Sequence, residues 1–199
     1  IRQAFNIKKI KVGHAGTLDP LATGLLVICT GKMTKQIESF QGQIKEYTGT
    51  ITLGSTTPSY DLESEINETF KTAHITDDLI YKTTTQFIGA IQQRPPIFSA
   101  LKKDGKRLYE MARKGETVDI PTREITINEF EITNINGNNL DFRVVCSKGT
   151  YIRSLANDFG KALQSGGHLS ALRRTKIGDF NVDDALSIEG FIENLKNSD

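Results

Sequence analysis

Two segments rich in apolar residues, the second of them alternating, are joined by a short polar turn and limit the fold of this chain more than any other feature. The turn is formed by residues 136–139 (NGNN). Alternation with a period of two is typical of a strand with one buried face, and an Asn-Gly turn between two such strands indicates an antiparallel hairpin. The apolar positions are Ile125, Ile127, Phe130 and Ile132 before the turn, and Leu140, Phe142, Val144 and Cys146 after it.

Further periodic segments surround this hairpin. Residues 44–53 alternate in the same way, with Tyr47, Gly49, Ile51 and Leu53 on one side. Strands are also expected over 168–177 and over 25–30, the latter buried on both faces because its apolar run is continuous. Helical spacing predicts helices over 32–40, from Thr76 to the Arg94-Pro95-Pro96 stop, over 107–113, over 151–164 and over 183–195. These elements predict an α+β fold with a mixed, mostly antiparallel central sheet flanked by helices.

Composition excludes several classes of protein. The 199 residues are 37% hydrophobic and 25% charged, which is typical of one globular domain. No apolar run approaches the length of a membrane span, and no signal peptide is visible. Cys29 and Cys146 stand apart among apolar neighbours, so we expect buried free thiols in a reducing, cytoplasmic compartment. Two cysteines and three scattered histidines give no metal-ligand spacing, and no dinucleotide motif is present.

Residues 13–26 (GHAGTLDPLATGLL) concentrate three glycines, one proline, one histidine and one carboxylate, that of Asp19. Pro20 biases Asp19 towards an extended backbone. From local chemistry alone, an ordinary turn and a catalytic loop are equally good interpretations, because Gly, Pro and Asp are common turn formers.

Basic residues are grouped, although the net charge is only +1. Residues 94–115 contain seven bases against two acids, with interleaved aromatic residues, a pattern typical of RNA contact. Residues 1–11 and 173–176 are also basic, and for each group a solvated surface is the alternative. Residues 61–78 are mostly acidic, and we expect them to face away from RNA.

Three further strings complete a resemblance to a known family. They are 147–153 (SKGTYIR), 169–175 (LSALRRT) and 94–108 (RPPIFSALKKDGKRL). Together with 13–26, and in this order, they resemble the pseudouridine synthases of the TruB type. These enzymes isomerise a uridine, position 55, in the T-arm loop of transfer RNA.

The resemblance implies a role for each matching residue. Asp19 matches the family's nucleophile, Arg153 the arginine that holds it, and Tyr47 the aromatic residue that stacks on the target base and is a proposed proton acceptor. Leu172 matches a residue of the uracil pocket, and His14 one that fills the space left by flipped bases. The segment 94–115 resembles an RNA-gripping insertion, from which we expect RNA contacts. The remaining expected RNA-binding residues are Lys102, Lys103, Lys106, Arg107 and Arg173.

The chemistry needs a fixed carboxylate and no cofactor, because breaking the ribose C1′–N1 bond and rejoining the base through C5 involves no redox change. An arginine holds a carboxylate in bidentate geometry and keeps its proton. A phenol with a pKa of about 10 is a poor base, so stacking is the better supported role of Tyr47. The sequence leaves open whether the carboxylate attacks C1′ or C6.

We assign the catalytic domain to residues 1–199. The resemblance also gives expectations for flanking segments and binding partners. From the resemblance we expect this chain to lack the family's opening Lys-Pro-x-Gly segment and its C-terminal RNA-binding domain. We expect a monomer that binds tRNA without a membrane or an obligatory protein partner. The alternatives are a synthase acting on another RNA and a non-catalytic RNA-binding or tRNA-folding protein.

Overall fold

The computed structural model describes residues 9–99, 102–103, 106–112 and 118–197. The N-terminal basic residues 1–8 therefore lie outside the described residues, as do parts of the 94–115 segment. The helices are α1 (Ile37–Gly42), α2 (Asp77–Thr84), α3 (Leu108–Ala112), α4 (Ile152–Ala162) and α5 (Ile188–Lys196). Short 3-10 turns cover Gly31–Gln36, Thr85–Phe87 and Val182–Asp184.

The strands of the described residues are β1 (Val12–His14), β2 (Thr23–Gly24), β3 (Ile28–Thr30), β4 (Lys45–Leu53), β5 (Ser55–Thr56), β6 (Glu68–Thr69), β7 (Gly89–Gln93), β8 (Lys102–Lys103), β9 (Lys106–Arg107), β10 (Arg123–Asn136), β11 (Asn139–Cys146), β12 (Gly167–Ile177) and β13 (Phe180–Asn181). They form one large sheet and three small ones. The large sheet has the order β13-β12-β4-β11-β10-β7, and β2 lies beside β12 as its parallel neighbour. All other pairings in it are antiparallel. The α+β prediction with a mixed, mostly antiparallel sheet is thus confirmed.

The predicted hairpin is the β10–β11 pair. Asn136 lies opposite Asn139, and Gly137 between them has a φ of 59°, which is a left-handed angle that glycine adopts without strain. The alternating apolar side chains of both strands are buried against α4. Within this core, the Phe159 ring of α4 lies edge-on to Phe130 of β10, with ring centroids 5.3 Å apart. Packing on the sheet therefore fixes α4, whose first turn carries Arg153.

Strand β4 is central, because β11 and β12 pair with its two edges. Tyr47 lies opposite Val144 on one side and Arg174 on the other. Ile51 and Leu53 are buried on the same face, as the alternation predicted. Cys29 and Cys146 are buried free thiols, which confirms that prediction.

Four predicted elements differ from the structure. In the helix predicted over 32–40, the first part is a 3-10 turn and α1 begins at Ile37, and the helix predicted over 183–195 begins at Ile188. The helix expected to reach the Arg94-Pro95-Pro96 stop ends at Thr84, and Gly89–Gln93 forms β7. Three successive threonine hydroxyls, from Thr83 to Thr85, bond back to carbonyls of the preceding turn, and Gly89 has a φ of 94°. Such bonds and a left-handed glycine end a helix. The strand expected to be buried on both faces is also wrong, because Leu26 and Ile28 are exposed and β3 pairs with β1 in a small sheet.

Candidate active site

The loop that carries Asp19 is held at both ends by Arg174 of β12. The guanidinium of Arg174 donates from Nε to the Leu25 carbonyl at 2.8 Å and from Nη2 to the Gly16 carbonyl at 3.1 Å. The Leu25 N–H in turn donates to the Arg174 carbonyl at 2.8 Å. Gly24 is required there, since its φ is 103° and a Cβ would lie 2.2 Å from the Arg174 oxygen. The main chain on both sides of Asp19 is therefore fixed to the central sheet.

The Asp19 carboxylate forms a bidentate ion pair with Arg153. Nη2 of Arg153 lies 2.7 Å from Oδ1, and Nε lies 2.9 Å from Oδ2. The arginine side chain is 3% exposed, whereas the aspartate side chain is 33% exposed. A buried guanidinium thus orients a carboxylate that a substrate can still reach. The structure brings together these two residues, which are 134 positions apart in the sequence.

A second carboxylate, that of Asp61, lies on the same guanidinium. Its Oδ2 is 3.6 Å from Arg153 Nε, and its side chain is 6% exposed. Arg153 Nη1 also donates to the Ser59 carbonyl at 3.3 Å. One buried cation therefore faces two carboxylates of different accessibility. Asp61 belongs to the acidic tract that we expected to face away from RNA, and it is buried against Arg153.

Asp19 lies where two cavities meet. The first has a volume of about 560 Å³ and includes Tyr47, Leu172 and Arg174 in its lining. The second has a volume of about 600 Å³ and includes Ser59, Ser99 and Arg153. Asp19 and Tyr151 line both cavities, so the carboxylate is accessible from either side.

Tyr47 and Leu172 give the first cavity an aromatic and an apolar surface. Burial raises the pKa of the Tyr47 phenol to about 12, and the neighbouring Cys146 thiol adds to this rise, whereas Arg174, which hydrogen-bonds the phenol, opposes it. The hydroxyl is consequently protonated at neutral pH. This arrangement suits a stacking surface for a planar base better than a proton acceptor.

Lys45 is a buried cation at the edge of the same cavity. Its Nζ donates to the carbonyls of Gln41 and Gln43, the latter at 2.6 Å, near the end of α1. Burial lowers the pKa of Lys45, and Arg174 lowers it further. Since its donors are directed to carbonyls, we assign Lys45 to holding α1 rather than to contacting substrate.

The other predicted site residues lie away from Asp19, or their side chains are not among those that the structure describes. His14 is exposed at the end of β1 and is absent from the lining of both cavities. Arg173 is exposed, and its neighbours Leu172 and Arg174 line the first cavity while it does not. Lys102 and Lys103 form β8, which pairs with β9, formed by Lys106 and Arg107. The side chains of these four residues lie outside the described part of the chain.

Arg174 is a functional residue that sequence reasoning passed over in favour of Arg173. A signal was available, since alternate residues of a strand share a face and Leu172 was already assigned to the pocket. Asp61 and Gln93 gave no local signal in the sequence, because their importance depends on contacts with α4.

Among the described residues, no group of three or more His, Cys, Asp or Glu side chains could hold a metal ion. No described helix has both the length and the apolar character needed to cross a membrane.

Comparison with known proteins agrees with this geometry. A 66% identical relative is the tRNA pseudouridine synthase B of Flavobacterium johnsoniae, matched over 95% of this chain and 82% of the relative. The protein of the same name from Phocaeicola vulgatus is 56% identical, over 97% and 82% of the two chains. A chain in the crystal structure of a Cbf5-Nop10-Gar1 complex superimposes with a TM-score of 0.73 and 29% identity. That match covers 96% of this chain and 47% of the solved chain, so this chain spans about half its length.

Two family models together span nearly the whole chain. Residues 2–152 match the TruB family pseudouridylate synthase N-terminal domain. Residues 153–198 match the tRNA pseudouridylate synthase B C-terminal domain. The boundary falls inside α4, between Ile152 and Arg153, so the two matches share one continuous helix. With these matches, the chain belongs to the TruB family of pseudouridine synthases.

Proposed function

We propose that this enzyme converts uridine 55, in the T-arm loop of tRNA, to pseudouridine, with Asp19 as the nucleophile. The observation that carries the proposal is the bidentate Asp19–Arg153 pair, which holds a reachable carboxylate between two cavities. The relatives named tRNA pseudouridine synthase B supply the substrate class.

The reaction breaks the bond between ribose C1′ and N1 of uracil, rotates the base, and forms a bond between C1′ and C5. The hydrogen on C5 leaves as a proton and N1 gains one, so the composition of the nucleotide is unchanged. A nucleophile must be held within contact distance of the substrate carbon, and fixing its orientation supplies much of the rate acceleration. Arg153 provides that orientation, because it binds both carboxylate oxygens.

Asp61 keeps the charge around Arg153 balanced during the reaction. When Asp19 bonds to carbon, its negative charge is lost and its attraction for the guanidinium weakens. A buried cation without a partner is costly. Asp61, at 3.6 Å from Arg153 Nε, remains as a counter-charge at that stage. The second carboxylate thus allows the first one to react.

The base must leave the folded RNA loop before Asp19 can reach it. Extruding a base costs a few kcal/mol, which stacking and phosphate contacts must offset. We assign stacking on the uracil to Tyr47 and its apolar wall to Leu172, since both line the cavity beside Asp19. We also propose, from the sequence alone, that His14, Arg173 and the basic side chains of residues 94–115 contact RNA.

We further propose that residues 1–199 act as one catalytic unit, with 94–115 as its RNA-gripping insertion, and as a monomer in the cytoplasm. One observation supports the single catalytic unit, and another supports the compartment. The helix α4 crosses the boundary between the two family matches, which makes separate folding units at that boundary implausible. Both cysteines are buried free thiols, as is usual in a reducing compartment.

Release of tritium from tRNA labelled at uridine C5 tests the proposed function. The chain should release tritium from position 55, and Asp19→Asn should abolish release while the dissociation constant for tRNA changes less than about threefold. Asp179→Asn, at an exposed aspartate, serves as the matched control and should retain full release. Release that survives Asp19→Asn would contradict the nucleophile assignment. Binding of tRNA without release by the unaltered chain would instead favour the tRNA-folding alternative.

A further inference from the structure

Gln93, the last residue of β7, is buried next to the active-site helix. Only 1% of the residue is exposed. Its side-chain Nε2 donates to the Tyr151 carbonyl at 3.0 Å, and its Oε1 accepts from the Tyr151 N–H at 2.8 Å. One side-chain amide therefore binds both main-chain polar groups of a single residue.

Tyr151 is the residue at which α4 begins. It has an extended backbone and gives the helix no side-chain cap. Helix starts normally depend on such caps, because their first N–H groups have no partner within the helix. Here the amide of Gln93 fixes the main chain two residues before Arg153. The direction in which the Arg153 side chain leaves the helix depends on that segment of backbone.

Two neighbouring residues, Arg123 and Arg94, contact the same turn. Arg123 lies directly opposite Gln93 in the β10–β7 pairing, and its guanidinium carbon lies 4.6 Å from the centre of the Tyr151 ring. Arg123 Nη2 also donates to the Gly149 carbonyl. One residue past the end of β7, the Arg94 carbonyl accepts from Ser154 Oγ at 2.8 Å. The end of the β7–β10 ladder thus holds both the ring and the main chain of Tyr151.

We infer that Gln93 is a positioning residue for the isomerisation: by fixing the start of α4, it aligns the Arg153 guanidinium with both oxygens of Asp19. Gln93 is absent from the lining of the two cavities at Asp19, so its effect passes through Arg153 rather than through substrate. The effect on the reaction rate rests on the proposed function, whereas the effect on Arg153 does not.

The first experiment removes the amide and keeps the volume. Gln93→Met should lower the single-turnover rate on tRNA about ten- to a hundredfold, because small misplacements of a catalytic group have effects of that size. The dissociation constant for tRNA should stay within about twofold, since the substitution removes no substrate contact. Gln92→Met is the matched control, because Gln92 is the exposed neighbour on β7. Unchanged turnover, or a loss confined to tRNA affinity, would overturn the inference.

A double-mutant cycle separates positioning from a general loss of structure. In an Arg153→Lys background the fork on Asp19 is already absent, so adding Gln93→Met should reduce the rate further by less than about threefold. Multiplicative losses in the double variant would show that Gln93 acts independently of Arg153, and would overturn the inference. Gln93→Glu keeps the acceptor for the Tyr151 N–H, so its single-turnover rate should lie between those of the unaltered chain and Gln93→Met.

A readout on the free protein is independent of activity. The Arg153 Nε–H resonance, assigned by its disappearance in Arg153→Lys, should shift or broaden in Gln93→Met and stay in place in Gln92→Met. An unmoved resonance would overturn the inference whatever the enzyme acts on. A moved resonance in a chain that makes no pseudouridine would uphold the positioning role and reject the proposed function.

Discussion

Two buried arginines contact the catalytic loop in different ways. Arg153 of α4 is 3% exposed, and its guanidinium binds carboxylates. Arg174 of β12 is 2% exposed, and its guanidinium binds the main-chain carbonyls of Gly16 and Leu25. The first arginine sets the orientation of Asp19, the proposed nucleophile, whereas the second sets the shape of the loop that presents it. The two roles should therefore be separable by substitution.

The difference follows from the elements that carry the two residues. A strand that is paired along both edges can direct an arginine along the backbone of a neighbouring segment, and β12 also pairs directly with the loop at Gly24. The first turn of a helix instead directs its side chain at whatever faces that end. Neutral carbonyls accept hydrogen bonds without a charge change during the reaction. A carboxylate can react as a nucleophile, which is why we assign the proposed chemistry to the Asp19–Arg153 pair.

The largest effect should come from replacing Arg153. Arg153→Lys keeps the charge but loses the planar fork that binds both oxygens of Asp19, so the single-turnover rate should fall by about a hundredfold or more. The affinity for tRNA should change little. Arg143→Lys is the control, because Arg143 pairs with Glu46 and Glu129 on the sheet rather than with the loop. A rate within tenfold of the unaltered chain would show that orientation of Asp19 does not depend on the fork.

Replacing Arg174 should affect stability more than chemistry. Arg174→Met leaves the Gly16 and Leu25 carbonyls without their charged donor, and the free energy of unfolding should fall by about 2–4 kcal/mol. The rate should fall only about tenfold, because Arg153 still binds the carboxylate directly. Arg173→Met, at the exposed neighbour, should change the free energy of unfolding by less than about 0.5 kcal/mol. Denaturant unfolding and single-turnover kinetics measure both quantities. Equal stability of the two methionine variants would remove the distinction between the arginines.

The sequence predicted the parts of the fold that depend on local pattern. The β10–β11 hairpin was recognisable because its two strands and its turn are adjacent, and α4 because its apolar face repeats at helical spacing. The strand β7 was mistaken for helix, since its identity depends on pairing with β10, where Ile91 lies opposite Ile125. That partner is distant in the chain. Local spacing carries no information about such a pairing.

The residues of the candidate site also fall into two groups, those predicted from the sequence and those recognised only in the tertiary structure. Asp19 and Arg153 were predicted from family strings and Tyr47 from the same resemblance, and the structure brings the aspartate and arginine into contact. Asp61 and Gln93 were missed because an acidic tract and a polar strand end carry no local mark of a buried contact with α4. Only the tertiary structure places Asp61 against Arg153 and Gln93 against Tyr151.

Replacing Tyr47 should have the smallest effect on the reaction rate. The titration of its phenol tests the surroundings that Arg174 provides. Its phenol is next to Arg174 rather than Arg153, and its pKa is raised to about 12 by burial. A general base contributes about 10²- to 10⁴-fold to a rate. Because the neutral phenol is no base and Tyr47→Phe keeps the ring for stacking, this variant should lose less than about tenfold in rate. A hundredfold loss would assign Tyr47 the proton transfer instead.

The pH dependence of stability gives a second measurement on the same residue. A raised pKa means that folding favours the protonated phenol, so this contribution to stability is complete below pH 10, the ordinary value. It is lost as the pH rises from 10 to about 12. The unaltered chain should therefore lose more stability than Tyr47→Phe across that interval, and ultraviolet absorbance should show one late-titrating tyrosine that the variant lacks. Parallel loss in both proteins would mean that the Tyr47 hydroxyl is solvated, and that Arg174 fixes the loop without protecting the phenol beside it.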